Sequence, residues 1–421
     1  MTPFFDTRLA LPFKNTTYGI YAAGNAVSLV GTWMQRISVS WLTWEMTHSG
    51  FWLGVMAFAD FFPGLVVGPL AGAFADRTDQ LTVVKSSQVV SLLQAAALFA
   101  FTAANHLNIW GLLALTTFQG AVVAFNQPAR LALVPSLVSE DDLASAVAIN
   151  SVIFNLARFL GPMAAGLVIV WSGVAASFAA NAASYVPFLV ALWWIRIEGT
   201  AEEVPKRRNF STDFKEGVRY TATHPALGAL LLLLTAIGIG GRPLSSLLPG
   251  FAAQIFKLNA GGFSILASAT AAGAILGGLW LGHRSKSAEL VTIALVATPG
   301  GAVAAIGVSA TNSLWVAVPS IAAFGFCLTI AGVAIQTIIQ LSSERAMRGR
   351  VMGIYGLIFR GAPGVGGLIA GAASVHFGLR WPVIAGAAIV IGATVWTLSR
   401  YVQIAAALPS PEAEPASSQK V

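Results

Sequence analysis

Long apolar runs follow one another along almost the whole chain, separated by short polar stretches. A helix needs about 20 apolar residues to cross the hydrocarbon core of a bilayer. Twelve runs satisfy this, near residues 18–43, 50–74, 81–104, 109–134, 142–170, 174–196, 226–249, 261–282, 288–308, 313–340, 349–374 and 381–403. The pattern therefore predicts an all-α membrane protein with twelve transmembrane helices. Trp33, Trp41, Trp44, Trp52, Trp110, Trp171, Trp193, Trp194, Trp315 and Trp381 stand mostly toward the ends of these runs, as an aromatic belt at the two membrane surfaces requires.

Displacing the chain by 205 positions superposes its glycines: Gly68, Gly72, Gly120, Gly161, Gly166 and Gly173 fall on Gly273, Gly277, Gly325, Gly366, Gly371 and Gly378. The displacement is close to half of the 421 residues, and six runs lie in each half. Such a repeat predicts two pseudo-symmetric six-helix bundles that rock about a site between them. The expected division is an N-terminal bundle over 1–196, a cytoplasmic linker over 197–222, a C-terminal bundle over 223–404 and a disordered tail over 405–421. Phe210, Phe214 and Val218 recur at helical spacing in the linker and predict a short amphipathic helix on the membrane surface.

Composition agrees with the runs: 56% of residues are hydrophobic and 10% charged, against about 25% charged in soluble domains. With both termini on the cytoplasmic side, Lys257 and Arg380 are the only basic residues left in loops on the other side. The positive-inside rule thus sets the orientation and points to a bacterial inner membrane. The net charge of +7 describes that orientation, so no nucleic-acid partner is expected. Cys327 is the single cysteine, which rules out an internal disulfide. The first run is too long for the apolar region of a cleavable signal peptide.

Catalysis finds little support. No GxxxxGK[ST], HExxH or GxSxG occurs, and the five histidines are scattered in or near loops. No enzyme activity, metal or cofactor is expected.

Charge inside a span is the better guide, because an arginine at mid-membrane costs about 2.5–3.5 kcal/mol on insertion scales. Asn25, Ser28, Thr32 and Arg36 form one polar stripe on the first span; Gln119, Asn126 and Arg130 line the fourth, and Ser151, Asn155 and Arg158 the fifth. Arg242 and Arg360 stand in the seventh and eleventh spans, at places related to Arg36 and Arg158 by the repeat to within a turn, and Gln336 lies on the tenth. Asp60 is the one clearly intramembrane acid and stands at the depth of Arg36. One reading pairs Arg36 with Asp60 and gives the other polar groups to helix–helix hydrogen bonds. The other is a cationic cavity for an anionic solute, with Asp60 as a proton site. An inside-negative potential supplies about 2.3 kcal/mol per charge per 100 mV and drives anions outward, which favours export. In the fifth span's approach, Ser139 and Asp142 have the spacing of a capping box.

Three short segments carry a resemblance. Gly68-Pro-Leu-Ala-Gly72-Ala-Phe-Ala-Asp76-Arg77 resembles the signature loop of the major facilitator superfamily, with Asp79 and Gln80 where glycine and a basic residue are usual. Arg158-Phe-Leu-Gly161-Pro162-Met-Ala-Ala165-Gly166 resembles the fifth-span antiporter motif of its drug:proton antiporter branch, and Gly31-Thr-Trp33-Met-Gln35 is similar to first spans of that branch. Thr116 stands where the fourth-span motif begins with arginine. The resemblance implies the major facilitator fold and helix bending at Gly161 and Pro162; the small face at Gly72, the acid Asp76 at a helix end and the basic partners Arg77 and Arg130 beside it make these the candidate gating residues. It also implies a monomer that exports a siderophore- or drug-like molecule by alternating access, with protons as a candidate counter-substrate. Uptake or uniport, a lipid flippase and a non-transporting sensor are the alternatives.

Overall fold

The computed structural model describes residues 16–75, 78–195, 210–224, 226–283 and 287–406. Among these there is no strand. The helices are α1 (Thr16–Thr47), α2 (Gly50–Ala75), α3 (Gln80–Ala103), α4 (Ile109–Leu133), α5 (Leu143–Trp194), α6 (Phe210–Thr223), α7 (Leu227–Ile255), α8 (Ala260–Gly282), α9 (Ser287–Ala310), α10 (Leu314–Ser342), α11 (Arg348–Phe377), α12 (Arg380–Leu398) and α13 (Tyr401–Ala406). Ten stretches are long and apolar enough to cross a membrane. One of them contains α5, whose Gly173 has φ +81°, a left-handed turn that breaks the 52-residue helix into two spans. Helix α1, 32 residues long, completes the twelve.

Helices α1, α3 and α5 pack together, as do α2 and α4, while α8, α9, α10 and α12 form the corresponding set in the second half. The halves meet along α2 against α11 and the first arm of α5 against α8. The internal repeat is visible in these contacts. A Cβ on Gly161 would lie 3.1 Å from the Met34 nitrogen and 3.1 Å from the Val30 carbonyl oxygen of α1, and one on Gly366 would lie 2.6 Å from the Ile239 Cα and 2.8 Å from the Gly238 oxygen of α7. Met34 and Ile239 are themselves 205 positions apart. Glycine at both places lets the fifth and eleventh spans ride directly on the backbones of the first and seventh.

The repeat is not chemical. Asn181 donates to Gln35 at 2.7 Å, and Gln35 to Gln94 at 3.0 Å. The positions 205 residues on from Gln35 and Asn181 hold Gly240 and Gly386, whose backbones touch. One half is stitched by buried amides where the other is stitched by close helix approach.

Helix α7 is not uniform. Two wide π-turns, Ile237–Gly241 and Phe251–Ile255, interrupt it, and the Arg242 N–H donates to the Ile237 carbonyl at 3.0 Å. Pro243 follows, without an N–H to offer the preceding turn. A π-turn holds one residue more than an α-turn. That extra residue removes the one-position offset between Arg36 and Arg242 under the repeat.

The segments between spans revise some sequence expectations. Asp79 is the N-cap of α3, accepting from the N–H groups of Leu81 (3.4 Å) and Thr82 (2.9 Å), which gives its departure from the signature loop a structural role. Burial pushes its carboxyl up, but the Thr82 and Leu81 hydrogen bonds and the charge of Lys85 outweigh this and hold it below its ordinary value. The capping box at Ser139 does not form: its hydroxyl donates to the Asp142 carboxylate at 2.9 Å, because a 3-10 turn over Glu140–Asp142 separates it from the start of α5. Helix α6 covers the amphipathic part of the linker; Gly217 rests on Arg350 and Ile354 of α11, Glu216 pairs with Arg350 at 3.0 Å, and Phe214 and Val218 are exposed. Residues 196–209 and the tail over 407–421 lie outside the described residues.

His224 joins α6 to α7. Its Nδ1 accepts from the N–H groups of Ala226 (3.2 Å) and Leu227 (3.3 Å), which requires the neutral ring. Burial depresses its pKa below 6.5, against a smaller opposing pull from Glu344. A depressed histidine contributes stability that is present above its unfolded value and lost as the pH falls through the folded value. The thermal midpoint should therefore drop between neutral and mildly acidic pH, and drop less in His224→Asn, which accepts the same bonds without titrating. Parallel pH profiles for the two proteins would contradict this.

Candidate functional site

At the end of the bundle that carries the α1–α2 turn, the halves are sealed. A Cβ on Gly371 of α11 would lie 2.5 Å from the Gly50 oxygen and 3.1 Å from the Gly54 Cα of α2. Trp41 of α1 stacks on Phe263 of α8 with ring centroids 5.9 Å apart, and Trp44 packs on Gly250 of α7. Toward the opposite end, a Cβ on Gly349, Gly353 or Gly356 of α11 would meet no atom of the described residues within 4 Å.

Beneath the seal is a cavity of about 240 Å³, lined by Thr32, Trp33, Gln35, Arg36, Asp60, Gln94, Thr116, Gln119, Ser245 and Ser246 together with apolar side chains. The lining is supplied mostly by α1 to α4; Ser245 and Ser246 come from α7. Arg36 and Asp60 pair here at 3.1 Å, as their equal depth in the sequence suggests. The Gln119 amide donates to Ser91 at 3.1 Å, and its Oε1 is buried without a partner. The Thr116 hydroxyl donates to the Leu112 carbonyl at 2.8 Å, so the position that resembles the start of the fourth-span motif serves its own helix.

Three arginines converge beside this cavity. The Arg36 and Arg158 guanidinium groups both lie over the Trp33 ring, 5.1 and 5.9 Å from its centroid. Across the interface, Arg242 lies over Phe359 of α11 at 4.5 Å. Arg158 is within electrostatic reach of both Arg36 and Arg242. Gly161 makes this possible by bringing α5 onto α1 at Trp33, and Pro162, buried in the same turn, leaves the Arg158 carbonyl without its usual helical donor. Among the described residues, Asp60 is the acid paired within this cluster, and neither Arg158 nor Arg242 has an acidic partner. Aromatic faces hold such cations by about 0.5–2 kcal/mol each without neutralising them. What remains is surplus positive charge shared by the two halves.

The other expected site residues separate from this cluster. Arg360 is exposed; it occupies the position 205 residues on from Asn155, whose amide donates to the Ser151 carbonyl of its own helix at 2.8 Å. Gln336 accepts from the Tyr355 hydroxyl at 3.4 Å, and Tyr355 stacks on Phe359, which links it to Arg242 through two rings. Asn25 and Asn126 are buried with an unpartnered Oδ1 each. Arg130 lies over Phe188 at 5.3 Å, away from the arginine cluster. Gly72 falls within α2, but its packing, like Asp76 and Arg77, is outside the described residues. Sequence reasoning missed the carriers of the cluster, Trp33 and Phe359, and the amides Gln94 and Asn181. Gln94 was findable as a polar residue in the middle of an apolar run, whereas Phe359 looks like any other apolar residue of its span.

Comparison with known proteins gives the family and the fold. The chain is 24% identical to the Staphyloferrin A transporter of Staphylococcus aureus (strain NCTC 8325 / PS 47), over 83% of this chain and 87% of that protein. It is 24% identical to Macrolide efflux protein A of Streptococcus pyogenes, over 91% and 95%, and 25% identical to the Enterobactin exporter EntS of Escherichia coli O139:H28 (strain E24377A / ETEC), over 78% of each. Among solved structures, a bacterial homolog to the human lysosomal transporter Spinster superposes with a TM-score of 0.72 at 15% identity, covering 95% of this chain and 99% of that one. A bacterial homologue of the iron transporter ferroportin gives 0.69 at 14%, covering 93% and 98%. Residues 7–420 match the family described as transmembrane secretion effector. With twelve spans in two repeated halves around a shared polar cavity, the chain belongs to that family of the major facilitator superfamily, and it is a transporter and not an enzyme.

Proposed function

We propose that this transporter exports an anionic or amphipathic small molecule, of the siderophore or drug kind, by alternating access. The observation that carries the reading is the pair Arg158 and Arg242, one on each half, neither with an acidic partner among the described residues. An anion between them gains charge-assisted hydrogen bonds from both halves at once, and so couples binding to their relative position. The relatives named for staphyloferrin A, macrolide efflux and enterobactin export support a siderophore- or drug-like substrate. With both termini in the cytoplasm, the sealed end is the outer one. Apart from Lys257 and Arg380, the basic residues outside the spans fall on the side opposite the seal, which supports that orientation.

Asp60 supplies the proton side of the cycle. While ionised it holds Arg36 at 3.1 Å; once protonated it releases Arg36 to the substrate. The Asp60 carboxylate and the anion then compete for Arg36, so protonation of Asp60 and anion binding are linked. In proteoliposomes, Asp60→Asn should still bind substrate but lose the acceleration that an imposed pH gradient gives the native protein. Unchanged gradient dependence would remove protons from the mechanism.

The physiological test compares small anions in the medium and cytosol of the host with and without the gene. A compound that vanishes from the medium and accumulates inside when the gene is removed is the expected result. A compound left behind in the medium would establish uptake instead. No change in either pool would leave a lipid substrate or a sensor.

A further inference from the structure

A second cavity, of about 450 Å³, opens on the outside of the bundle where the first arm of α5 meets α8. Its α5 wall is made of large apolar side chains: Phe159, Met163, Leu167, Val170 and Trp171. Its α8 floor is small, running from Gly261 through Ser264 and Ser268 to Ala272. The rim is open to the surroundings, with Leu167 54% and Ile265 61% exposed. In a membrane-spanning chain these surroundings are lipid.

The dimensions fit one acyl chain. From Trp171 to Phe159 the groove follows twelve residues of helix, about 18 Å at a rise of 1.5 Å per residue. One leaflet of a typical hydrocarbon core is about 15 Å deep, half of the ~30 Å total. Trp171, at the mouth, has the chemistry of a residue at headgroup level. Polarity fits as well. Ser264 is 3% exposed, lines the groove, and its hydroxyl has no hydrogen-bond partner. It stands one helical turn below the start of α8 at Ala260, about 6 Å in, the depth of the ester carbonyls beneath a headgroup. Ser268 is already engaged, donating to the Phe159 carbonyl at 3.4 Å. The single unspent hydroxyl is therefore near the mouth, and the deeper groove is apolar.

We infer that the α5–α8 seam is a lipid site: one acyl chain of a bilayer phospholipid lies in the groove with its ester carbonyl accepting from Ser264. The site is separate from the arginine cavity and does not depend on what the transporter carries. Because α5 and α8 belong to different halves, the lipid is a wedge in the moving interface.

The test uses the full chain in nanodiscs of phosphatidylethanolamine and phosphatidylglycerol, doped with phosphatidylethanolamine carrying a diazirine midway along one acyl chain. Photolabelling at Met163, Leu167 and Ile265 should exceed that at Val296 and Ile389, which are exposed on other faces, by about tenfold. Ala269→Phe, which fills the floor, should abolish the excess. Ser264→Ala, which keeps the packing and removes one hydrogen bond, should reduce it by about three- to tenfold. Even labelling of all exposed faces would overturn the site. So would an excess that survives in a monodisperse Ala269→Phe protein, or crosslinks through this face to a second copy of the chain.

Discussion

Replacing Arg242 with glutamine should weaken binding of the transported anion by about 10- to 100-fold, the loss of one charge-assisted contact worth roughly 1.5–3 kcal/mol. Arg158→Gln should do the same, and the double variant should lose transport. The two residues come from different halves and lie within electrostatic reach of each other, so each substitution removes half of the bridge that an anion makes. Arg242→Lys discriminates a role in recognition from one in folding. It keeps the charge but loses the planar fork and the stacking on Phe359 4.5 Å away, so affinity should fall part of the way while the protein elutes unchanged. Titration calorimetry on the purified protein reads the three single variants, and flux into proteoliposomes reads the double one. A Gln variant that binds the native anion as tightly as the parent would remove the arginine from the site.

Gly371→Val should arrest the cycle with the sealed end held apart. The added Cβ would lie 2.5 Å from the Gly50 oxygen and 3.1 Å from the Gly54 Cα, and both are backbone atoms that no rotamer change can move. Overpacking of this kind costs about 1–3 kcal/mol. Set against two states of similar energy, it shifts their ratio by about 5- to 150-fold. Turnover should fall by that order with little change in affinity, and spin labels near Ser49 and His376 should report a longer distance. Gly278→Val is the control, since a Cβ there meets nothing within 4 Å. An unchanged distance distribution in Gly371→Val would mean that the close contact of α2 with α11 does not govern closure.

What the sequence disclosed and what it withheld have a common physical origin. Burial in lipid obliges a helix to satisfy its own backbone, so runs of apolar residues translate directly into spans, and the repeat of glycines into equivalent close contacts at Gly161 and Gly366. The Arg36–Asp60 pair was legible because both residues carry charge at one depth. Periodicity, however, describes one helix at a time. It placed Asn155 and Arg158 on a single stripe, yet Arg158 reaches Trp33 of α1 while Asn155 bonds its own backbone. Arg360 is separated from Arg242 for the same reason: it stands at the place of Asn155 in the repeat, not at that of Arg158. The π-turn before Arg242 was hidden as well, because Ile-Gly-Ile-Gly-Gly suits many backbones and tertiary packing chooses among them. The capping box failed on a local detail, the 3-10 turn after Ser139, that four residues of sequence do not fix.

The central claim is that surplus positive charge between the halves selects an anion for export. It is tested most directly by uptake into inside-out vesicles with an imposed lumen-positive potential, using a polycarboxylate siderophore and an uncharged analogue of the same size. The account predicts accumulation of the anion, little of the neutral analogue, and loss of the difference in the Arg158→Gln Arg242→Gln double variant. Equal accumulation of both compounds, or an anion preference that survives in the double variant, would contradict it.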